Sequence, residues 1–141
     1  YPVPDAPNQL VPTDSSAWVM SLSHREFWLL QPDQEAVASA IQGEALASEV
    51  WPLYCQHGHA WLQLAGAPRA EVMATLCGVD LSQAVFPEGS VVQTQVARVT
   101  SIIAHHAGGQ GGVFSLFVDQ SLAVYLWEAL EDAITAFPSS S

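Results

Sequence analysis

Between Ser90 and His106 the chain reads SVVQTQVARVTSIIAHH, without one glycine or proline. Valine, isoleucine and threonine dominate it, and β-branched side chains suit a pleated, half-buried strand. GGQGG follows at 108–112, then Val113 to Val118 as VFSLFV. The glycines read as a turn and VFSLFV as the returning strand. The strand-like run must bend somewhere, although no residue type marks the place. The pair predicts a sheet that is mainly antiparallel or mixed.

The rest of the chain supplies what packs on those strands. Residues 1–16, YPVPDAPNQLVPTDSS, hold four of the nine prolines and show no periodicity. They read as an extended arm without a fold of its own. Ala17–Ser21 and Phe27–Gln31 read as short strands around an SHRE turn. Asp33 to about Leu46 reads as a helix, with Ala36, Val37, Ala40 and Ile41 at helical spacing and acids in the first turn. Val50–Gln56 and His59–Leu64 read as strands around His57-Gly58, and Pro52 means that the first begins late or lies at an edge. Pro68 opens a helix carrying Val72, Leu76 and Cys77, with Gly78 expected as its cap. VDLSQAVFPEG is a loop. Ser121 precedes a final helix with Leu122, Leu126, Ala129, Leu130 and Ala133 as its buried stripe and Glu128, Glu131 and Asp132 off it. The order β-β-α-β-β-α-β-β-α has more hairpins than crossovers. The expected fold is α+β, a mixed, mainly antiparallel sheet with about three helices packed on it. The expected organisation is an arm at 1–16, a single domain at 17–137 and a flexible tail at 138–141.

Composition narrows the function. At 141 residues the chain is one domain. It has 14 Asp plus Glu, three Arg and no Lys, for a net charge of -11. Nucleic-acid binding needs several basic residues on one face, and an anionic membrane surface is equally unsuited. No apolar stretch approaches the ~20 residues of a membrane span. No signal peptide is visible, and a start at Tyr1 rather than Met leads us to expect a trimmed or processed N terminus. Charged residues make up only 12%, about half the usual ~25%. One reading is that part of the surface is covered by another protein. The other is a neutral surface of Ser, Gln, Ala and Gly. Cys55 and Cys77 form no CxxC and no disulfide framework, and read as small buried hydrophobes in a reducing, cytoplasmic setting.

No motif stands out as catalytic. GGQGG leads into a strand rather than a helix, and the chain has no lysine, so it is a hairpin loop rather than a phosphate cradle. His57-x-His59 could share one side of a strand, whereas adjacent His105 and His106 should point to opposite faces. No convergent set of three or four ligands is evident, so no metal is expected. There is no GxSxG and no SxxK. Asp80 and Glu88 are the loop carboxylates that could serve as acid or base, and both read better as turn or cap residues. Asp119 reads as a local cap before the last helix. The expected catalytic, cofactor-binding and metal residues are therefore none.

An ordered series of features resembles the gamma subunit family of heterotetrameric sarcosine oxidase. It comprises Leu64-Ala65-Gly66 before a helix, Cys77-x-x-Asp80-Leu81 after it, Phe86-Pro87-x-Gly89, Thr94, Ala97-Arg98, Ser121 and Leu126-Trp127. Upstream, SHREFWLLQP matches the family's Trp-Leu-Leu strand before a helix. The resemblance covers about residues 17–136 and implies a distant similarity to the folate-binding domain of the glycine-cleavage aminomethyltransferase. It implies an accessory subunit with no cofactor of its own, whose larger partner subunits carry FAD, FMN, NAD and tetrahydrofolate. The assembly it implies is a flavoenzyme that oxidatively demethylates sarcosine or a related secondary amine. The alternative is a free-standing folate-dependent one-carbon transferase or folate-binding domain, for which Asp80 and Glu88 are the carboxylates to test.

Overall fold

The computed structural model describes residues 4–13, 17–30, 58–108 and 111–137. Two antiparallel sheets lie among them. The smaller is a meander of β1 (Gln9–Pro12), β2 (Trp18–Ser21) and β3 (Phe27–Leu30) in the order β1-β2-β3. The larger contains β4 (His59–Ala65), β5 (Val91–Val96), β6 (Val99–His106) and β7 (Val113–Asp119) in the order β4-β7-β6-β5. The helices are α1 (Arg69–Ala74) and α2 (Ala123–Ile134), the latter entered through a 3-10 turn at Gln120–Leu122. No helix among the described residues is long and apolar enough to cross a membrane.

The α+β class matches the expectation, with two corrections. All the described strand pairs are antiparallel, and they form two sheets rather than a single mixed one. Two helices, not about three, lie among the described residues. The helix expected at Asp33–Leu46 and the strand expected at Val50–Gln56 lie outside them.

The second sheet answers a packing requirement of the first. Val113 to Val118 is buried at every position, so β7 needs cover on both faces. Toward the helices, Phe114, Leu116 and Val118 join Leu64, Val72, Met73, Val96, Ile103, Leu126 and Leu130 in one apolar cluster. On the opposite face, Phe117, Val91 and Ala104 meet Leu10, Met20, Leu22 and Leu30 of the small sheet and its flanks. Trp18, Trp28 and Trp61 are half-buried around this second cluster.

The bend in the Ser90–His106 run falls at Ala97-Arg98, with φ of 51° and 70°. Val96 pairs with Val99, so the hairpin turns on these two residues alone. Such a turn normally recruits Asn-Gly, because side chains disfavour positive φ at both central positions. The surroundings hold it in place. Ala97 N–H donates to the Leu76 carbonyl at 2.8 Å, and the Ala97 carbonyl accepts from Tyr125 Oη at 2.8 Å.

The arm contributes a strand to its own chain. Leu10 is buried, and β1 pairs with β2 in register from Gln9↔Ser21 to Pro12↔Trp18. Its outer edge reaches the large sheet, where Leu10 N–H donates to the Gly89 carbonyl at 2.8 Å and Val91 N–H to the Asn8 carbonyl at 3.1 Å. The Gln93 side chain adds bonds to Asn8 Oδ1 at 3.2 Å and the Leu22 carbonyl at 2.9 Å.

Two cap expectations part ways. Asp119 caps the final helical segment as expected, accepting from Ser121 N–H. Gly78 does not cap α1, which ends at Ala74 with Thr75 as its C-cap and Thr75 Oγ1 donating to the Val72 carbonyl at 2.7 Å. Leu76 and Cys77 lie beyond that helix but still pack on the core.

Candidate functional site

The carboxylates singled out from sequence sit on separate exposed turns. Asp80 accepts from Ser82 N–H at 2.9 Å. That backbone bond, aided by the Ser82 side chain, holds its carboxyl below the usual carboxylate range. Glu88 is exposed in the loop before β5. Asp119 accepts from Ser121 Oγ at 2.6 Å and from Ser121 N–H at 2.9 Å. The hydroxyl bond first, then the backbone bond, lowers its pKa. The Asp80 and Asp119 carboxylates are thus engaged by local donors, as turn and cap residues are. Cys77 is buried and free, and its Sγ accepts from Val79 N–H at 3.4 Å. Cys55 and His57 lie outside the described residues. No group of three or more His, Cys, Asp or Glu that could hold a metal occurs among the described residues.

His105 and His106 do point to opposite faces of β6, and each enters a different network. On the helix side, His105 is buried between the rings of Phe86 and Phe114. Its Nδ1 lies 2.8 Å from the Phe86 carbonyl. A carbonyl only accepts, so Nδ1 carries the proton and Nε2 is left as an acceptor. Arg69 donates to it, with Nη2 3.3 Å from Nε2. The same guanidinium donates to the Gly66 carbonyl at 3.0 Å and to the Gly111 carbonyl, and lies over the Phe114 ring. Arg69 thus ties the start of α1 to the glycine loop and to the buried imidazole. Gly112 is required there. Its φ is +97°, and a Cβ would come within 2.6 Å of His105 Nε2.

Across the sheet, His106 Nδ1 lies 3.0 Å from the Ala107 carbonyl, and its Nε2 lies 2.6 Å from Ser115 Oγ. Ser115 Oγ also accepts from Trp61 Nε1 at 2.9 Å. By the same reasoning His106 is protonated at Nδ1 and accepts the Ser115 proton at Nε2. A serine hydroxyl donating to an imidazole is half of a nucleophile arrangement. Here both residues are buried, at 0% and 3% exposure. The partner orienting the imidazole is a carbonyl, and a tryptophan N–H occupies the oxygen that would attack. The network lies on the large sheet, and the Trp18 ring of the small sheet packs against His106 at 4.5 Å. His59 stands at the rim of this cluster, its ring 4.8 Å from Trp28.

Large apolar groups are also exposed among the described residues. On α2, Val124, Tyr125, Trp127 and Ile134 are all exposed, and Leu122 just before it is too. Leu122 was expected in the buried stripe. It falls in the 3-10 turn, where the tighter winding rotates it off the face that Leu126 and Leu130 present to the core. Sequence reading did not single out Arg69, Ser115 or this outer face of α2.

A family model described as "Sarcosine oxidase, gamma subunit family" matches residues 9–136. No curated protein matches the sequence. Among solved structures, the chain is similar to one in "Heterotetrameric Sarcosine Oxidase from Corynebacterium sp. U-96 in complex with pyrrole 2-carboxylate". The TM-score is 0.83 at 24% identity, covering 99% of this chain and 70% of that one. At that identity the structural likeness speaks for the fold. The family match runs from β1 through the end of α2, so the chain belongs to the sarcosine oxidase gamma subunit family.

Proposed function

We propose that this chain acts as a non-catalytic accessory subunit of a sarcosine-oxidase-type heteromeric flavoenzyme that oxidises an N-methyl amine. The observation that carries this reading is the family match across residues 9–136. The chemistry of the described residues supports the accessory role. Asp80 and Asp119 are engaged by local donors at separate turns, and the Ser115–His106 pair is enclosed between sheets. FAD, FMN, NAD and tetrahydrofolate belong in this reading to the larger partner subunits, and the assembly works in the cytoplasm on sarcosine or a related secondary amine. The proposal extends the fold toward the folate-binding aminomethyltransferase domain.

Size-exclusion chromatography of the chain alone and co-expressed with the flavoprotein subunits, read in the flavin bands, tests the proposal. The chain alone should be colourless and inactive toward N-methyl amines. Co-expressed, it should elute with the yellow, active fraction, through an interface above the ~1,200–2,000 Å² of standard complexes. A well-behaved monomer that binds folate or turns over substrate by itself would replace this reading with the one-carbon transferase.

A further inference from the structure

Helix α2 is apolar on two faces, and among the described residues only one is packed into the core. Leu126 and Leu130 enter the core at 0% and 5% exposure, whereas Val124, Trp127 and Ile134 stand at 70%, 51% and 41%. Steps of three and seven residues bring these three into one stripe along the outer surface. Glu128, Glu131 and Asp132 are exposed on the same helix. Trp127 Nε1 donates to Glu131 Oε1 at 2.6 Å, which lays the indole along the helix instead of leaving it free to swing. A helix facing only water carries polar groups on its outer side. Fixed aromatic and aliphatic groups bordered by charge are instead the composition of an interface core and its rim.

The charge on this face limits what can dock there. Among residues 123–134 there are three carboxylates and no Lys or Arg. The whole chain holds only three Arg against 14 acids. A second copy docked on the same face would set these carboxylates against each other, and like charges across an interface are strongly unfavourable. We propose that the outer face of α2 is the docking surface for a larger subunit of the complex, whose matching surface has an apolar slot for Trp127 bordered by Arg or Lys. This rests on the accessory-subunit reading and adds to it the surface used and the chemistry of the partner.

The co-expressed complex tests this with three variants: Trp127→Ala, Val124→Arg, which leaves the Trp127–Glu131 bond intact, and a Glu128→Arg, Glu131→Arg charge reversal. Val85→Arg, at an exposed loop site outside α2, is the control. Each α2 variant should keep the circular dichroism spectrum and thermal midpoint of the wild-type chain. Each should lose at least tenfold in affinity for the flavoprotein subunits, while the Val85 control co-elutes normally. Wild-type association should also weaken steeply as salt is raised. Folded α2 variants that co-elute at wild-type stoichiometry would overturn the docking surface while leaving the subunit reading in place. A wild-type homodimer dispersed by Trp127→Ala would overturn the heteromeric occupant. A wild-type chain that does not co-elute overturns the subunit reading itself, and this inference with it.

Discussion

The two faces of the β6–β7 pair are closed by different physics. Toward the helices, Ile103, Phe114, Leu116 and Val118 meet Leu126, Leu130 and Met73, and the fit is one of apolar volume. Toward the small sheet, the filling is half-buried tryptophan around a chain of bonds from Trp61 through Ser115 to His106. Aliphatic packing tolerates exchange of shape for shape, but a buried polar chain holds only while every donor and acceptor is matched. His105 shows the same rule on the helix side, where the Phe86 carbonyl and Arg69 satisfy both ring nitrogens. The outer face of α2 contrasts with both, because nothing in the described chain covers it.

Truncation should separate the two closed faces. The larger effect is expected at Leu126, which is 0% exposed at the centre of the helix-side cluster. Leu126→Ala removes packed atoms and leaves a cavity, at a cost of about 2–5 kcal/mol. A loss below ~0.5 kcal/mol in denaturant unfolding would place this residue outside the core and break the phasing assigned to α2. A smaller effect, of about 1–3 kcal/mol, is expected for Ser115→Ala, because it leaves Trp61 Nε1 and His106 Nε2 enclosed without their partner. Ser115→Ala should also shift the emission of the sheet-side tryptophans, which Leu126→Ala should leave in place. Equal emission changes in the two variants would mean that the two faces are not independent.

Much of this architecture was legible in the sequence. The alternation of β6 placed His105 and His106 on opposite faces, and the glycines at 108–112 marked the β6–β7 hairpin. Asp119 beside Ser121 announced its cap, and Leu126 and Leu130 were correctly phased. The remainder depended on information that local patterns do not carry. Ala97-Arg98 turns the chain without a turn residue, because tertiary bonds from Leu76 and Tyr125 hold a backbone that its own side chains disfavour. Periodicity shows that a strand is half-buried but not which sheet it joins, so the meander of β1–β3 went unseen as a separate layer. Ser115 meets His106 only through the β6–β7 register, in which His106 opposes Val113 and Ser115 lies two residues along. The outer face of α2 was hidden because a hydrophobic stripe was sought on one side only. Trp127 entered as a family feature rather than as an exposed anchor.

The central claim is that this chain folds with one face of α2 and associates with the other. Hydroxyl-radical footprinting of Trp127, in the isolated chain and in the purified complex with the flavoprotein subunits, tests it most directly. The account predicts an indole oxidised readily in the isolated chain, where it is 51% exposed, and at least tenfold more slowly in the complex. Oxidation of Trp127 at the same rate in both states would contradict it.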